Sequence, residues 1–236
     1  MCGWILGALI SLPLMAQQDA REAALGAQIA HEIRSHSTVV TDPSVRAYVS
    51  ALATKLAGSG LALTLEVITG DGSATHEPAW LPGGYVFVST DLIAAARDES
   101  EFAGVFAHTL AHQIGHDTER LRMQALAANP AAIPLIWIGG EESALPRAWI
   151  VRRRPFELEA DALAVKLLVR AGYDPEALAR YLTRLNPDDT ERIEAIYKAV
   201  GNAPRPTALL LDSSEFQRVR EKFLPRAQRP SLYLFR

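Results

Sequence analysis

Three of the six histidines in this 236-residue chain, His108, His112 and His116, fall within nine residues. Two imidazoles four residues apart project from one face of a helix and can reach a single cation. An isolated HxxxH pair is weak, because a satisfied or solvent-facing histidine is its usual outcome. A tetrahedral zinc site with an open position needs a third protein donor. Glu157 and Asp161 begin 45 residues after His112, also four apart, with the small Ala160 between them. On a helix packed closely against the first, Glu157 would complete the ligand set. Asp161 would hydrogen-bond the free ring nitrogen of a ligand histidine and fix its orientation. The plain alternative is a solvated acidic helix face.

The elements that must position these residues can be read from caps and periodicity. Leu25, Ile29 and Ile33 give a helical spacing within residues 19–36. Asp42-Pro43 caps and opens a helix to about Leu56, which Gly58-Ser59-Gly60 ends. Alternation predicts a strand from Leu61 to Ile68, and Tyr85 to Val88 reads as a second strand. Ser89-Thr90-Asp91 caps a short helix over Leu92 to Arg97. The residues from Asp98 to Ser100 cap the helix that carries the histidines, from Glu101 to about Arg122. Residues 128–150, with three prolines and a glycine pair, read as an irregular excursion, its apolar segment packed or mobile. Helices follow from Phe156 to Ala171, from Pro175 to Leu185 and from Thr190 to Val200. No internal repeat or long linker divides the chain. The expectation is an α+β fold, a mostly helical domain with a small β-sheet.

Composition narrows the function. Hydrophobic residues make up 49% and charged residues 22%, as in a globular domain. The net charge of −3 argues against a nucleic-acid partner. The single cysteine, Cys2, excludes an intrachain disulfide, a thiolate zinc cluster and an iron–sulfur site. Gly3 to Ala16 is an uncharged, mostly apolar run, too short for a comfortable membrane span. It suits a secretory signal over residues 1–16, against a buried helix or a misassigned start codon as the alternatives. The expected domain would cover 17–216, followed by a basic tail over 217–236. The protein would then be exported, periplasmic or extracellular. No membrane-spanning segment follows the signal, and peripheral membrane association stays open.

Four pieces of the chain, in order, carry a family resemblance. Leu81-Pro82-Gly83-Gly84-Tyr85-Val86 precedes Glu99-Ser100-Glu101-Phe102-Ala103-Gly104-Val105-Phe106-Ala107-His108. Arg154-Pro155-Phe156-Glu157-Leu158-Glu159-Ala160-Asp161 and Ala171-Gly172-Tyr173-Asp174-Pro175 follow. Together they resemble the gluzincin zinc metallopeptidases of the CAAX prenyl protease, HtpX and periplasmic BepA type, over roughly residues 20 to 200. The resemblance implies a zincin-like fold, Zn2+ held by His108, His112 and Glu157, and polypeptide substrates. Those would lie as an added strand on the edge of the small sheet.

The chain departs from that family where the chemistry is done. The family's HExxH helix reads His108-Thr109-Leu110-Ala111-His112 here, so Thr109 occupies the general-base position. A shifted frame, His112 to His116, also lacks the glutamate and leaves His116 as an alternative metal ligand. Asn186 stands where the family has a histidine before a proline, and asparagine cannot titrate. A positioned general base contributes about 10²–10⁴ in rate, and threonine cannot supply it near pH 7. The reading is therefore a metalloendopeptidase-family protein with weakened catalysis. The alternative is a binding or quality-control module that keeps the fold without hydrolysis.

Overall fold

A computed structural model describes residues 11–69, 78–115, 147–204 and 208–224. Helices pack against a three-stranded sheet. Helix α1 (Ser11–His36) is followed by α2 (Pro43–Ala57), whose Asp42 cap accepts the Ser44 backbone N–H at 2.9 Å. The sheet comprises β1 (Thr64–Ile68), β2 (Ala79–Leu81) and β3 (Tyr85–Ser89), with a 3₁₀ turn at Pro82–Gly84 between the last two. Ser89 caps α3 (Thr90–Ala95), and Asp98 caps α4 (Glu99–Ile114) by accepting the Glu101 N–H at 2.8 Å. Then come α5 (Arg147–Ala171), α6 (Ala177–Leu185), α7 (Thr190–Asn202) and α8 (Ser214–Glu221).

The strand order is β1-β3-β2, with β1 parallel and β2 antiparallel to β3. The strand expected from Leu61 begins only at Thr64, because Thr64 pairs with Tyr85, the first residue of β3 after the turn. Gly84 ends that turn at φ +80°, and a Cβ there would sit 2.5 Å from the Ala62 carbonyl oxygen. Strand β2 is too short, at three residues, to show an alternating pattern. The Tyr85–Val88 strand is thus the central one, and β2 forms a border of the sheet among the described residues.

Helix α4 is buried from Glu99 through His112. A helix covered on all sides belongs at the centre of a domain. Phe102, Phe106 and Leu110 join Leu52 of α2, Val88 of β3, Leu168 of α5 and Leu178 of α6 in one core. Gly104 lets α6 approach α4 closely, since a Cβ there would lie 2.9 Å from the Leu178 backbone nitrogen.

Three expected boundaries fall inside helices. Helix α1 runs continuously across residue 16. Helix α5 starts at Arg147 and passes through Pro155, so the excursion expected to end at residue 150 gives way earlier. The tail expected from residue 217 is in part helix α8, because Phe216 and Val219 are buried anchors, with Arg218 and Arg220 flanking Val219. His116 and most of the 128–150 segment lie outside the described residues.

Candidate metal centre

Helices α4 and α5 bring four side chains together. Ala107, Ala111 and Ala160 are buried and small, so the helices can approach closely enough for their polar side chains to meet. His108 Nε2 lies 3.1 Å from His112 Nε2 and 3.3 Å from Glu157 Oε2, and His112 Nε2 lies 3.7 Å from that same oxygen. Tetrahedral zinc with bonds of about 2.0–2.1 Å requires donors roughly 3.3 Å apart. The three donor atoms therefore stand at the spacing of one face of such a tetrahedron, and this trio forms a group that could hold a metal ion. Both histidines are 2% exposed, so their donor atoms are withdrawn from bulk water.

The surroundings orient these donors. His108 Nδ1 lies 2.8 Å from Asp161 Oδ1, although the ring N–H does not point straight at that oxygen. That leaves Nε2 as the atom facing His112 and Glu157. Asp161 also accepts two hydrogen bonds of 2.8 Å from Arg192 Nε and Nη2. Burial raises the Asp161 carboxyl's pKa, but Arg192 and His108 outweigh it and hold the group below its ordinary value. Burial likewise works against charge on His108, yet Asp161 and Glu157 push its pKa up to about 10. Glu157 is held well below the usual carboxylate range despite its burial, by the two imidazoles beside it. A field that favours a proton on a buried imidazole also favours a cation between these donors.

Arg192 was not singled out from the sequence. It sits on the first turn of α7, where it is 7% exposed and one helical turn before the fully buried Ile196. An arginine in phase with a core isoleucine must be buried, and a buried guanidinium needs an acid. That phase was the signal available. Arg154 of α5 fixes this end of α7, since its Nη1 donates to Asp189 Oδ2 and its Nε to Glu191 Oε2, each at 2.9 Å.

Thr109 is buried, and its hydroxyl turns back to the Val105 carbonyl of its own helix at 3.3 Å. Two other carboxylates of the motif segments lie elsewhere. Glu101 accepts hydrogen bonds from the Arg97 backbone N–H and from Arg184 Nη2, and Glu159 is exposed. Asn186 is exposed at the end of α6, where its backbone N–H donates to the Leu182 carbonyl at 2.7 Å. Trp80 of β2 stacks on the His112 ring, with centroids 4.6 Å apart and planes 10° apart. Gln113 Nε2 donates to the Leu81 carbonyl at 3.1 Å, so β2 is tied directly to the histidine helix.

Comparison with known proteins follows the same elements. The sequence model described as Peptidase family M48 matches residues 40–200. A Yersinia pestis protein named beta-barrel assembly-enhancing protease is 23% identical over 82% of this chain and 43% of its own length. The Escherichia coli K12 protein of that name is 24% identical over 70% of this chain and 37% of its own. The mitochondrial metalloendopeptidase OMA1 of Schizosaccharomyces pombe is 30% identical over 63% of this chain and 43% of its length. The chain thus spans about two fifths of the curated relatives it matches. It belongs to peptidase family M48.

Proposed function

We propose that this member of family M48 is a zinc-binding protein of the cell envelope that engages extended polypeptides and hydrolyses them weakly. His108 Nε2, His112 Nε2 and Glu157 Oε2 would donate to the metal, and the carrying observation is their mutual spacing of 3.1–3.7 Å. Bound zinc supplies Lewis acidity toward a peptide carbonyl and acidifies water. Asp161 holds the His108 ring, and Arg192 holds Asp161. Among the described residues β2 borders the sheet, so an added strand would lie along its outer edge, and Trp80 and Gln113 join β2 to α4.

Thr109 carries the weakness. Without a carboxylate at this position, proton abstraction from the attacking water loses its usual acceptor. The cost is about 10²–10⁴ in rate. Casein hydrolysis by purified protein, beside Thr109→Glu, tests this. The expected result is weak, chelator-sensitive hydrolysis in the parent and a gain of roughly 10²-fold or more in Thr109→Glu. Robust hydrolysis by the parent that Thr109→Glu does not raise would defeat it. The orientation of the Thr109 hydroxyl toward Val105 favours a second reading, a module that binds polypeptides without cutting them. Hydrolysis absent in the parent but present in Thr109→Glu would select that reading.

Support for the envelope comes from the apolar run over residues 3–16 and from relatives named for β-barrel assembly. No described helix is long and apolar enough to cross a membrane. Mass spectrometry of the mature N-terminus tests the processing this implies, and an intact residue 1 would count against it.

A further inference from the structure

We infer that Trp80 is a positioning residue for the metal ligand His112, and that it makes border strand β2 and the metal centre one mechanical unit. The inference rests on the zinc-binding reading above. It starts from a contact that neither the HxxxH spacing nor the Glu157–Asp161 pair accounts for. The indole lies parallel to the His112 imidazole at 4.6 Å, while the His108 ring meets His112 edge-on at 88° with the same centroid separation. His112 is thus held between a flat aromatic wall and a perpendicular ring. Its Nε2 consequently faces His108 Nε2 and Glu157 Oε2.

The wall is itself fixed. Trp80 pairs with Val86 in the antiparallel β2–β3 register, and Val86 is fully buried. Its neighbour Leu81 is 2% exposed and accepts the Gln113 side-chain hydrogen bond, one residue beyond His112. Two contacts, the Trp80 stack and the Gln113 bond, therefore join adjacent residues of β2 to adjacent residues of α4. Shifting β2 would turn the His112 ring. A polypeptide added to the border of β2 would press on the same strand, so its binding would be felt at the ligand.

An oriented aromatic pair in a partly buried setting changes an equilibrium by roughly three- to tenfold. Partners that orient a metal ligand change metal affinity by about 10–100-fold when removed. The expected effect of Trp80→Ala is thus a loss of roughly three- to tenfold in zinc affinity, with Trp80→Phe recovering most of it. The experiment is chelator-competition titration of zinc into the full chain for the parent, Trp80→Ala and Trp80→Phe, with circular dichroism to check folding. Cobalt(II) titration adds a spectroscopic readout. The visible absorption of the cobalt form is expected to shift in Trp80→Ala and to return in Trp80→Phe. Cobalt should also quench tryptophan emission in the parent more than in Trp80→Phe, because that variant removes the indole stacked on the ligand.

Equal zinc affinity and an unchanged cobalt spectrum in folded Trp80→Ala would overturn the inference while leaving the zinc site intact. A parent that binds neither metal would overturn the zinc-binding reading as well. If Trp80→Ala fails to fold, Trp80→Leu, which fills the space without an aromatic face, decides. Weaker zinc binding and a shifted cobalt spectrum in folded Trp80→Leu support the positioning role, and parental values for both remove it.

Discussion

At the scale of single residues, Arg192 shows how far the site extends beyond its donors. It stands 84 positions from His108 in sequence, yet its Nη2 lies 3.4 Å from His108 Nε2 and its Nη1 3.8 Å from Glu157 Oε2. Its two bonds to Asp161 fix the carboxylate beside His108. Asp161→Asn keeps the shape of that side chain but removes its charge. The variant should bind zinc about 10–100-fold more weakly, measured by chelator competition. Unchanged affinity would show that Asp161 does not orient the ligand. The donors were legible in sequence because a helix converts a spacing of four into a shared face. Arg192 was harder to see, since the sequence does not show that α7 packs across α5.

At the scale of elements, the site depends on how closely α4 is held from both sides. Helix α5 brings Glu157 and Asp161 to one face, and α6 packs against Gly104 four residues before His108. Gly104→Ala would place a Cβ 2.9 Å from the Leu178 nitrogen and 3.1 Å from its Cα, both backbone atoms. Overpacking of this kind costs about 1–3 kcal/mol. Urea unfolding should show that loss, and zinc affinity should fall with it as α4 moves. A variant as stable as the parent would mean that α6 yields without strain. The helices were mostly legible from their caps, as Asp42 and Asp98 show by bonding the backbone as expected. Strand β2 and helix α8 were not. Three residues cannot display alternation, and in α8 the apolar anchors Phe216 and Val219 are interleaved with Arg218 and Arg220.

At the scale of the whole molecule, a second buried polar group ties distant parts of the chain together. Tyr48 of α2 and Tyr173, just beyond α5, both donate to Glu99 Oε1, at 3.0 and 2.9 Å, at the start of α4. Burial first, and then the Glu99 charge, raise both phenol pKa values well above their ordinary value. The unfolded chain therefore releases these protons at lower pH than the folded chain. Their stabilising contribution is complete below about pH 10 and is lost as pH rises beyond it. The urea midpoint should fall above that pH, and Tyr48→Phe should flatten the fall while lowering stability at pH 8 by roughly 1.5–3 kcal/mol. A parallel decline in both proteins would contradict this. The cluster fixes the start of the helix whose far end carries His108 and His112, so fold and candidate centre share one scaffold. The central claim is that this scaffold holds one metal ion on His108, His112 and Glu157. Its most direct test is the zinc content of the folded chain, purified without chelators, beside folded Glu157→Ala and His112→Ala. The account predicts close to one zinc per chain in the parent and a marked loss in both variants. Zinc well below one per folded parent chain, or full zinc retained in both variants, would contradict it.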